Sequence, residues 1–400
     1  MTEKNAATTA ATNAAAAPLT LLDHVNTPPA QTWNYLRIND VSFEVPAPNG
    51  TRTGAAFNRL PQIFSKVETG LGDEAVRWVE RMADGATYVE VPARETHVEP
   101  ILVSVSDDEP FASFGVMVRE GARATIAVSV GARQDALQAA SQGSDAGSSR
   151  TTTGSTLRVI AERGSEVEIV EIVASGAGRQ HLEAIGIDVA EGAAVTVRQY
   201  ALGGAKVAMG IAANLAGDSS RLELASRYVV RDRDQLDVNH VVRQRGRNTR
   251  SDIQTTGVLM DGARKTMRET IDLIHGAKNS RGNEVETVLV CGEDVVNKTL
   301  PVILCDEEDV QGNHGATIGS VSPEQVAYLA CRGLSERDVE DLFGRALFDD
   351  ALNHAPDPTS RAAVIGRATA VLGDSFAEEA AFDEGADATC IAPGNPESER

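Results

Sequence analysis

Between Tyr88 and Ile318 apolar and polar residues alternate with a period of two, in segments such as YVEVP, ILVSVS, FGVMV, ATIAVSV, TLRVIA, VEIVEIV, VTVRQYAL and RLELASRYVV. That period sends successive side chains to opposite faces of a strand, so each segment reads as a β-strand with one covered face. Small-residue turns separate the segments: Glu120-Gly121-Ala122, Arg163-Gly164-Ser165, Glu191-Gly192-Ala193, Gly217-Asp218-Ser219 and Asp261-Gly262-Ala263. Glycine supplies turn angles that other residues adopt only under strain. Strands in series, punctuated by such turns and uninterrupted by a helical period, predict stacked solenoid coils, a parallel β-helix. A two-sheet sandwich would alternate in the same way, although its core usually carries more aromatic residues.

Helical periods flank this region. Leu71 to Gly85 places Val76, Val79, Met82 and Ala83 on one face, with Asp73 and Glu74 at the positive end of the dipole and Gly85 as a stop. Ser322-Pro323-Glu324-Gln325 carries an N-cap and a capping-box Gln, and Gly333 ends that helix. Ser335 opens a second helix, whose Val339, Leu342, Phe343, Ala346 and Leu347 form a helical stripe, and a third runs from Pro358 to Phe376. The expected fold is mainly β, a right-handed parallel β-helix with a small mixed N-terminal region and a C-terminal helical domain. Residues 1–18 read as a disordered tail, 19–87 as the mixed region, 88–321 as the β-helix, 322–376 as the helical domain and 377–400 as an acidic tail. Within the β-helix, residues 134–155 are mostly Gln, Ser, Thr and Gly, too polar to offset ordering entropy, and read as a flexible loop.

Composition narrows the function. In 400 residues, 42% are hydrophobic and 4% aromatic, and the net charge is −21 at pH 7. So acidic a chain is repelled by nucleic acid and by anionic membrane. No apolar run reaches the ~20 residues a membrane span needs, and the N-terminus lacks a signal-peptide pattern, so a cytoplasmic protein is expected. The four cysteines, Cys291, Cys305, Cys331 and Cys390, show no CxxC spacing and are too few for a disulfide scaffold.

Enzyme motifs are absent. There is no phosphate loop, no GxSxG elbow and no HExxH pair, and the seven histidines show no metal-ligand spacing. Asp306-Glu307-Glu308-Asp309 reads as a solvated turn. Arg243, Arg245 and Arg247 would share one strand face, paired with acidic neighbours or meeting an acidic partner; no interleaved aromatics make a nucleic-acid stripe. Cys291 and Cys305 lie in apolar runs and read as buried thiols. His314, in Gln311-Gly312-Asn313-His314-Gly315, reads as a histidine in a glycine-rich turn, as readily hydrogen-bonded as functional.

The stretch Asn297 to Leu334 (NKTLPVILCDEEDVQGNHGATIGSVSPEQVAYLACRGL) resembles the C-terminal signature of the SufB/SufD family. The shared features are a Pro with an apolar strand, acidic residues, the His-Gly-Ala-Thr-Ile-Gly segment and a helix ending in Arg-Gly-Leu. Asp261 to Glu286 resembles the family's last coils, and Pro28 to Tyr35 its N-terminal opening. The resemblance runs from about residue 28 to 376 and is sharpest over 261–345. It leans to SufD, because Gly315 follows His314 where the SufB pattern has an acidic residue. Many SufD proteins have Cys-Ser-His at the motif; here Gly312-Asn313-His314 retains only the histidine.

What the resemblance implies is a non-catalytic scaffold subunit of a SufBCD complex that assembles iron–sulfur clusters. The last coils would pair with a SufB-like sister, and residues 322–376 would dock a SufC-like ABC ATPase, which carries the ATP. No cofactor would be held stably by the chain alone. A transient iron–sulfur cluster shared with SufB would meet His314, as an iron ligand, a proton acceptor or a shaper of the interface. A sulfur donor, and in isolation a second copy of the chain, complete the implied partners. Alternatives are a SufB-type scaffold that itself carries the cluster, a carbohydrate-active β-helix enzyme, and a structural solenoid with no cluster role.

Overall fold

The computed structural model describes residues 18–30, 34–48, 59–131 and 151–377. The expected tails therefore lie outside the described residues except at their inner ends, as do residues 134–150 of the expected loop and Trp33 of the N-terminal motif. The chain opens with a short antiparallel pair, β1 (Leu19–Leu22) and β2 (Phe43–Pro46), followed by α1 (Asp73–Met82). Strands then alternate between two eight-stranded sheets. The first sheet holds β3 (Thr87–Val91), β5 (Phe111–Val118), β7 (Thr151–Ala161), β9 (Arg179–Val189), β11 (Lys206–Leu215), β13 (Gln235–Gln244), β15 (Arg264–Leu273) and β17 (Val296–Cys305). The second holds β4 (Ile101–Val105), β6 (Arg123–Gly131), β8 (Glu166–Ala174), β10 (Ala194–Gly203), β12 (Arg221–Val230), β14 (Arg250–Leu259), β16 (Ser280–Val290) and β18 (Val310–Gly319). Every pairing within these sheets is parallel and joins strands two apart in sequence, which is the connectivity of stacked coils. The sandwich alternative is thereby excluded.

Alternation along each strand fills the lumen between the sheets. Val128, Ile169, Val197 and Leu224 from the second sheet meet Val159, Ile187, Ile211 and Val238 from the first, all fully buried. The turns explain why the repeat looked irregular. A residue with left-handed backbone recurs once per coil: Gly121, Gly164, Gly192, then Ser219, Asn248 and Asn279. Each donates its N–H to a carbonyl in the next coil's turn, at Arg163, Glu191, Asp218, Arg247, Lys278 and Asp309 respectively. One column thus changes residue type along its length without changing its role, because Asn tolerates these angles best after Gly.

Two layers flank the solenoid. The β1–β2 pair and α1 cover the first sheet, with Phe43, Val45, Trp78 and Val79 against Leu182, Ala184 and Ala208. A buried ion pair anchors this cover: Arg268 Nη1 donates to Asp237 Oδ1 at 2.7 Å, and Asn26 Nδ2 to the same oxygen at 2.8 Å. On the second sheet pack α3 (Glu336–His354) and α4 (Pro358–Leu372), with Phe348, Ala351, Val364 and Ala368 against Val170, Ile172, Tyr200 and Leu202. Before them comes α2 (Pro323–Ala330), opened by the capping box of Ser322 and Gln325; Ser335 and Asp338 form a second box on α3. The helical stripe is only partly covered: Val339 and Leu347 are buried, whereas Leu342 is 52% exposed and Phe343 37%.

Four expectations need correction. Thr151 to Ser155 belong to β7, not to a loop, and Thr152, Thr153 and Ser155 are buried; the Thr153 hydroxyl meets His181 and the Thr152 hydroxyl accepts from Gln180, so polarity did not prevent ordering. The three arginines do not share a strand face, because β13 stops at Gln244; Arg243 pairs with Glu68 and Asp272, Arg245 Nε donates to Asn214, and Arg247 pairs with Asp218. His314 sits in strand β18, not in a turn, since its glycines continue the ladder to β16. Cys305 is exposed and Cys291 half-buried, because the last coil has no further coil to cover it.

Gly257 tests how tightly the lumen is filled. A Cβ there would run into the ring of Tyr228 on the neighbouring strand. Gly257→Ala should destabilise the fold by about 1–3 kcal/mol, read as a lower urea midpoint with unchanged slope. An unchanged midpoint would show that the Tyr228 ring moves aside freely.

Candidate functional site

The C-terminal end of the solenoid is open. Among the described residues no strand pairs with the outer edge of β17 or β18, and the helices that follow fold back along the flank of the second sheet. Ile318, in a lumen-facing column, is 58% exposed for want of a covering coil. Unpaired strand edges of this kind are a template for another chain.

Register places the chemistry at this mouth. His314 lies directly over Glu284 of β16, in the column of lumen-facing positions, and is exposed. Cys305 continues the lumen column of Gln244 and Leu273 on the opposite sheet; its Sγ reaches the Glu307 carbonyl at 3.2 Å. Asp306, Glu308 and Asp309 are exposed in the turn between the last two strands, where the half-buried Glu307 accepts the Gly276 N–H at 2.9 Å. That bond, followed by weaker backbone bonds within the turn, holds the Glu307 carboxyl below its ordinary value. Among the described residues, no three of His, Cys, Asp and Glu group so as to hold a metal ion. An iron centre at the mouth would therefore need donors from outside this set.

Below the mouth runs a feature that strand alternation alone did not disclose. One lumen column of the second sheet is polar on five successive strands: Glu171, Gln199, Ser226, Thr255 and Glu286. His181, Glu183, His240, Lys265 and Glu269 face it from the first sheet, all almost fully buried. Gln199 Nε2 donates to Glu171 at 3.0 Å, and Gln199 Oε1 accepts from Ser226 at 2.9 Å and from His240 Nε2 at 3.0 Å. His240 Nδ1 lies 3.1 Å from Glu269 Oε1, which also accepts from Thr255 at 2.7 Å. Nearer the mouth, Lys265 Nζ donates to Glu286 at 2.5 Å and to Thr299 at 2.8 Å, while Thr299 and Tyr228 donate to Glu286 at 2.7 and 3.1 Å. The missed signal was a polar residue recurring once per coil where the alternation calls for an apolar one, as in Glu171 of VEIVEIV.

Burial sets the charge states here. It raises Glu171 well above the carboxylate range, with the Glu183 charge adding to the shift, and it raises Glu183 as well. Glu284 is pushed up to about 8, by burial first and then by Glu269 and Glu286. Burial would also raise Glu269, but His240, Glu284 and Thr255 together hold it below its ordinary value. Burial lowers Lys265, against the pull of Glu286, and drops His181 to about 4. These carboxyls are enclosed, so no polysaccharide could reach them, and the carbohydrate-active alternative finds no acid pair in the lumen that it could use.

The lane makes stability depend on pH. Glu284 binds its proton more tightly folded (about 8) than unfolded (4.5), so its contribution is full below 4.5 and disappears as pH rises through 8. His181 behaves oppositely: its contribution is full above 6.5 and is lost as pH falls to about 4. Taken alone, these two cancel from 4.5 to 6.5 and leave stability falling from there to about 8; Glu171 and Glu183, raised as well, add to the loss as pH rises above 4.5. Glu284→Gln should reduce the alkaline decline of the urea midpoint and uncover the His181 loss as pH falls below 6.5, which Glu284 opposes in the wild type; an identical profile would show that Glu284 is an ordinary carboxylate.

Among the described residues, no helix is long and apolar enough to cross a membrane. The family described as "SUF system FeS cluster assembly, SufBD core domain" matches residues 111–347, which is more than half of the chain. The iron–sulfur cluster assembly protein SufD of Bacillus subtilis is 27% identical over 143 residues, 36% of this chain and 33% of that protein. SufD of Escherichia coli is 24% identical over 154 residues, covering 38% and 36%, and a SufBD family protein of Methanocaldococcus jannaschii is 24% identical over 136 residues, covering 34% and 42%. The similarity thus spans only about a third of the length of the two SufD relatives. On the family match over residues 111–347 and the similarity to these SufD proteins, the chain belongs to the SufB/SufD family and is SufD-like.

Proposed function

We propose that this chain is a non-catalytic scaffold subunit in iron–sulfur cluster assembly. In this reading it pairs through β17 and β18 with a SufB-like sister, and presents its C-terminal helices to a SufC-like ABC ATPase. The observation that carries it is the open mouth, where unpaired edges and lumen-facing His314 and Cys305 lie at the same end. A sister chain of the same architecture would satisfy both edges at once and supply thiolates beside the His314 imidazole, a nitrogen suited to iron or to a proton near neutral pH. Cys305 lies on the rim although the motif cysteine is replaced by Gly312, so a thiol of this chain is also within the junction.

The exposed Leu342 and Phe343 of α3, with Tyr328 of α2 58% exposed, give the ATPase an apolar patch to hold. ATP-driven closure of the ATPase would pull on these helices. The packed solenoid, to whose flank they are fixed by Phe348 and Val364, would carry the movement to the mouth.

Co-purification from the native host should bring down a homologous sister chain and an ABC-type ATPase. His314→Ala should leave that complex intact and abolish cluster formation from ferrous iron and sulfide, followed by visible absorbance; full cluster yield would remove His314 from the mechanism. Leu342→Asp with Phe343→Asp should release the ATPase and keep the sister chain, and loss of both or of neither would place the ATPase elsewhere.

A further inference from the structure

One column on the outer face of the second sheet loses its charge balance along the solenoid. In the early coils it is neutralised within the ladder: Arg123 of β6 lies in register with Glu166 of β8, and their side chains meet at 2.9 Å. The column passes through Ala194 of β10 and then places Arg221, Arg250 and Arg281 on three successive strands, β12, β14 and β16. All three are exposed, and their guanidinium groups have no ion-pair or hydrogen-bond partner among the described residues. Adjacent strands lie about 4.8 Å apart, and like charges directly opposite one another destabilise a sheet. The acids two residues further along the same face do not relieve this. Glu223 forms no ion pair with the row among the described residues, and Asp252 Oδ1 accepts the Asn283 amide at 2.8 Å instead. Lys278, exposed in the turn before β16, adds a fourth cation whose ammonium has no partner among the described residues. An unpaired basic row stands out on a chain of net charge −21.

We propose that this row is the docking surface for the chain's own acidic segment, residues 378–400. That segment lies outside the described residues; its sequence carries seven carboxylates, five of them between Glu378 and Asp387, against one arginine. The described chain leads to it over the right face. Phe376 packs edge-on against Phe348 of α3, and Phe348 belongs to the apolar cluster that includes Tyr200 on the outer face of the second sheet. Tyr200 is in register with Arg227 of β12, on the same strand and the same face as Arg221. The separation from Arg227 to Arg221 is about 20 Å at the rise of a strand. Roughly seven extended residues span it, so carboxylates from Asp383 onward reach the row. Tethering decides between this segment and an outside polyanion. Nucleic acid, an anionic membrane or another acidic protein is repelled by the net charge before it arrives. A segment of the same chain is presented at an effective concentration on the order of mM. Docked there, its carboxylates supply the counter-charge that Glu166 supplies to Arg123 earlier in the column. The contact is exposed, so salt weakens it.

Cys390 gives the segment a native site for a label. In the full chain, with Cys291→Ala, Cys305→Ser and Cys331→Ser, nitroxides at Cys390 and at Glu223→Cys should report a short, narrow distance distribution at low ionic strength. The distribution should lengthen and broaden when Arg221, Arg250 and Arg281 are all changed to Gln, and again at about 0.5 M salt, where exposed charges are screened within a few ångströms. The three arginines are exposed and unpaired, so their replacement spares the fold. Fluorescent polyglutamate separates this occupant from an outside one. It should bind a full chain whose acids from Glu378 to Asp387 are changed to their amides about 10-fold more tightly than it binds the wild type, because the tethered competitor is gone. Binding should be lost when the three arginines are changed to Gln as well. A distance distribution that is the same with and without the arginines overturns the proposal. Equal polyglutamate affinity for the wild type and the amide variant also overturns it, and would leave the row to an acidic partner in its place.

Discussion

Parallel register between successive coils is the constraint on which everything else in this protein depends. Each strand satisfies its backbone only by pairing with the strand one coil before and one coil after, so the side chains of any lumen column are stacked at the spacing of the ladder. A slip of one residue would turn that strand's lumen set to the outside. The turn column from Gly121 to Asn279 holds the register at one corner, because each left-handed residue donates to the next turn. The same rule cannot be satisfied at the last coil, and β17 and β18 end with free edges.

The polar lane is the costly exception inside this stack. Carboxylates taken out of water lose several kcal/mol of hydration each, and they persist in a lumen only when paired, hydrogen-bonded or protonated. All three solutions occur: Lys265 pairs with Glu286, His240 and Thr255 bond Glu269, and burial keeps Glu171 and Glu284 on the protonated side. An aliphatic column would fill the same space without that cost. Acids and imidazoles take its place on adjacent coils, and the lane runs on to Glu284 and Glu286 of β16, next to the last strand of its sheet.

The additions outside the solenoid respect the same geometry. The N-terminal cover and the C-terminal helices bury apolar patches on the outer faces of the two sheets, and the cover reaches the last coil where Lys298 of β17 donates to the Leu36 and Arg37 carbonyls. In the proposed role, a movement applied to α3 or α4 has two routes to the open rim: the packed coils, whose side chains interdigitate at crystal-like density and shift together, and the chain itself, which runs from β18 into α2 and α3.

The period of two, the turn glycines and the capping boxes were enough to read strands, coils and C-terminal helices from the residues alone, because those signals act within a few positions of one another. Asn248 and Asn279 show the limit of that reading: they occupy the glycine column, but only the ladder between coils reveals it. Thr151 to Ser155 read as too polar to order, and it is partners contributed by other coils that order them. His314 and Cys305 could be picked out by type and motif, but their shared position at an uncovered rim follows from which coil is last, a property of the stack and not of any segment. The lane is the clearest case. Glu171, Gln199, Ser226, Thr255 and Glu286 are ordinary residues one by one, and parallel register makes them neighbours across some hundred residues of chain, which no local pattern specifies.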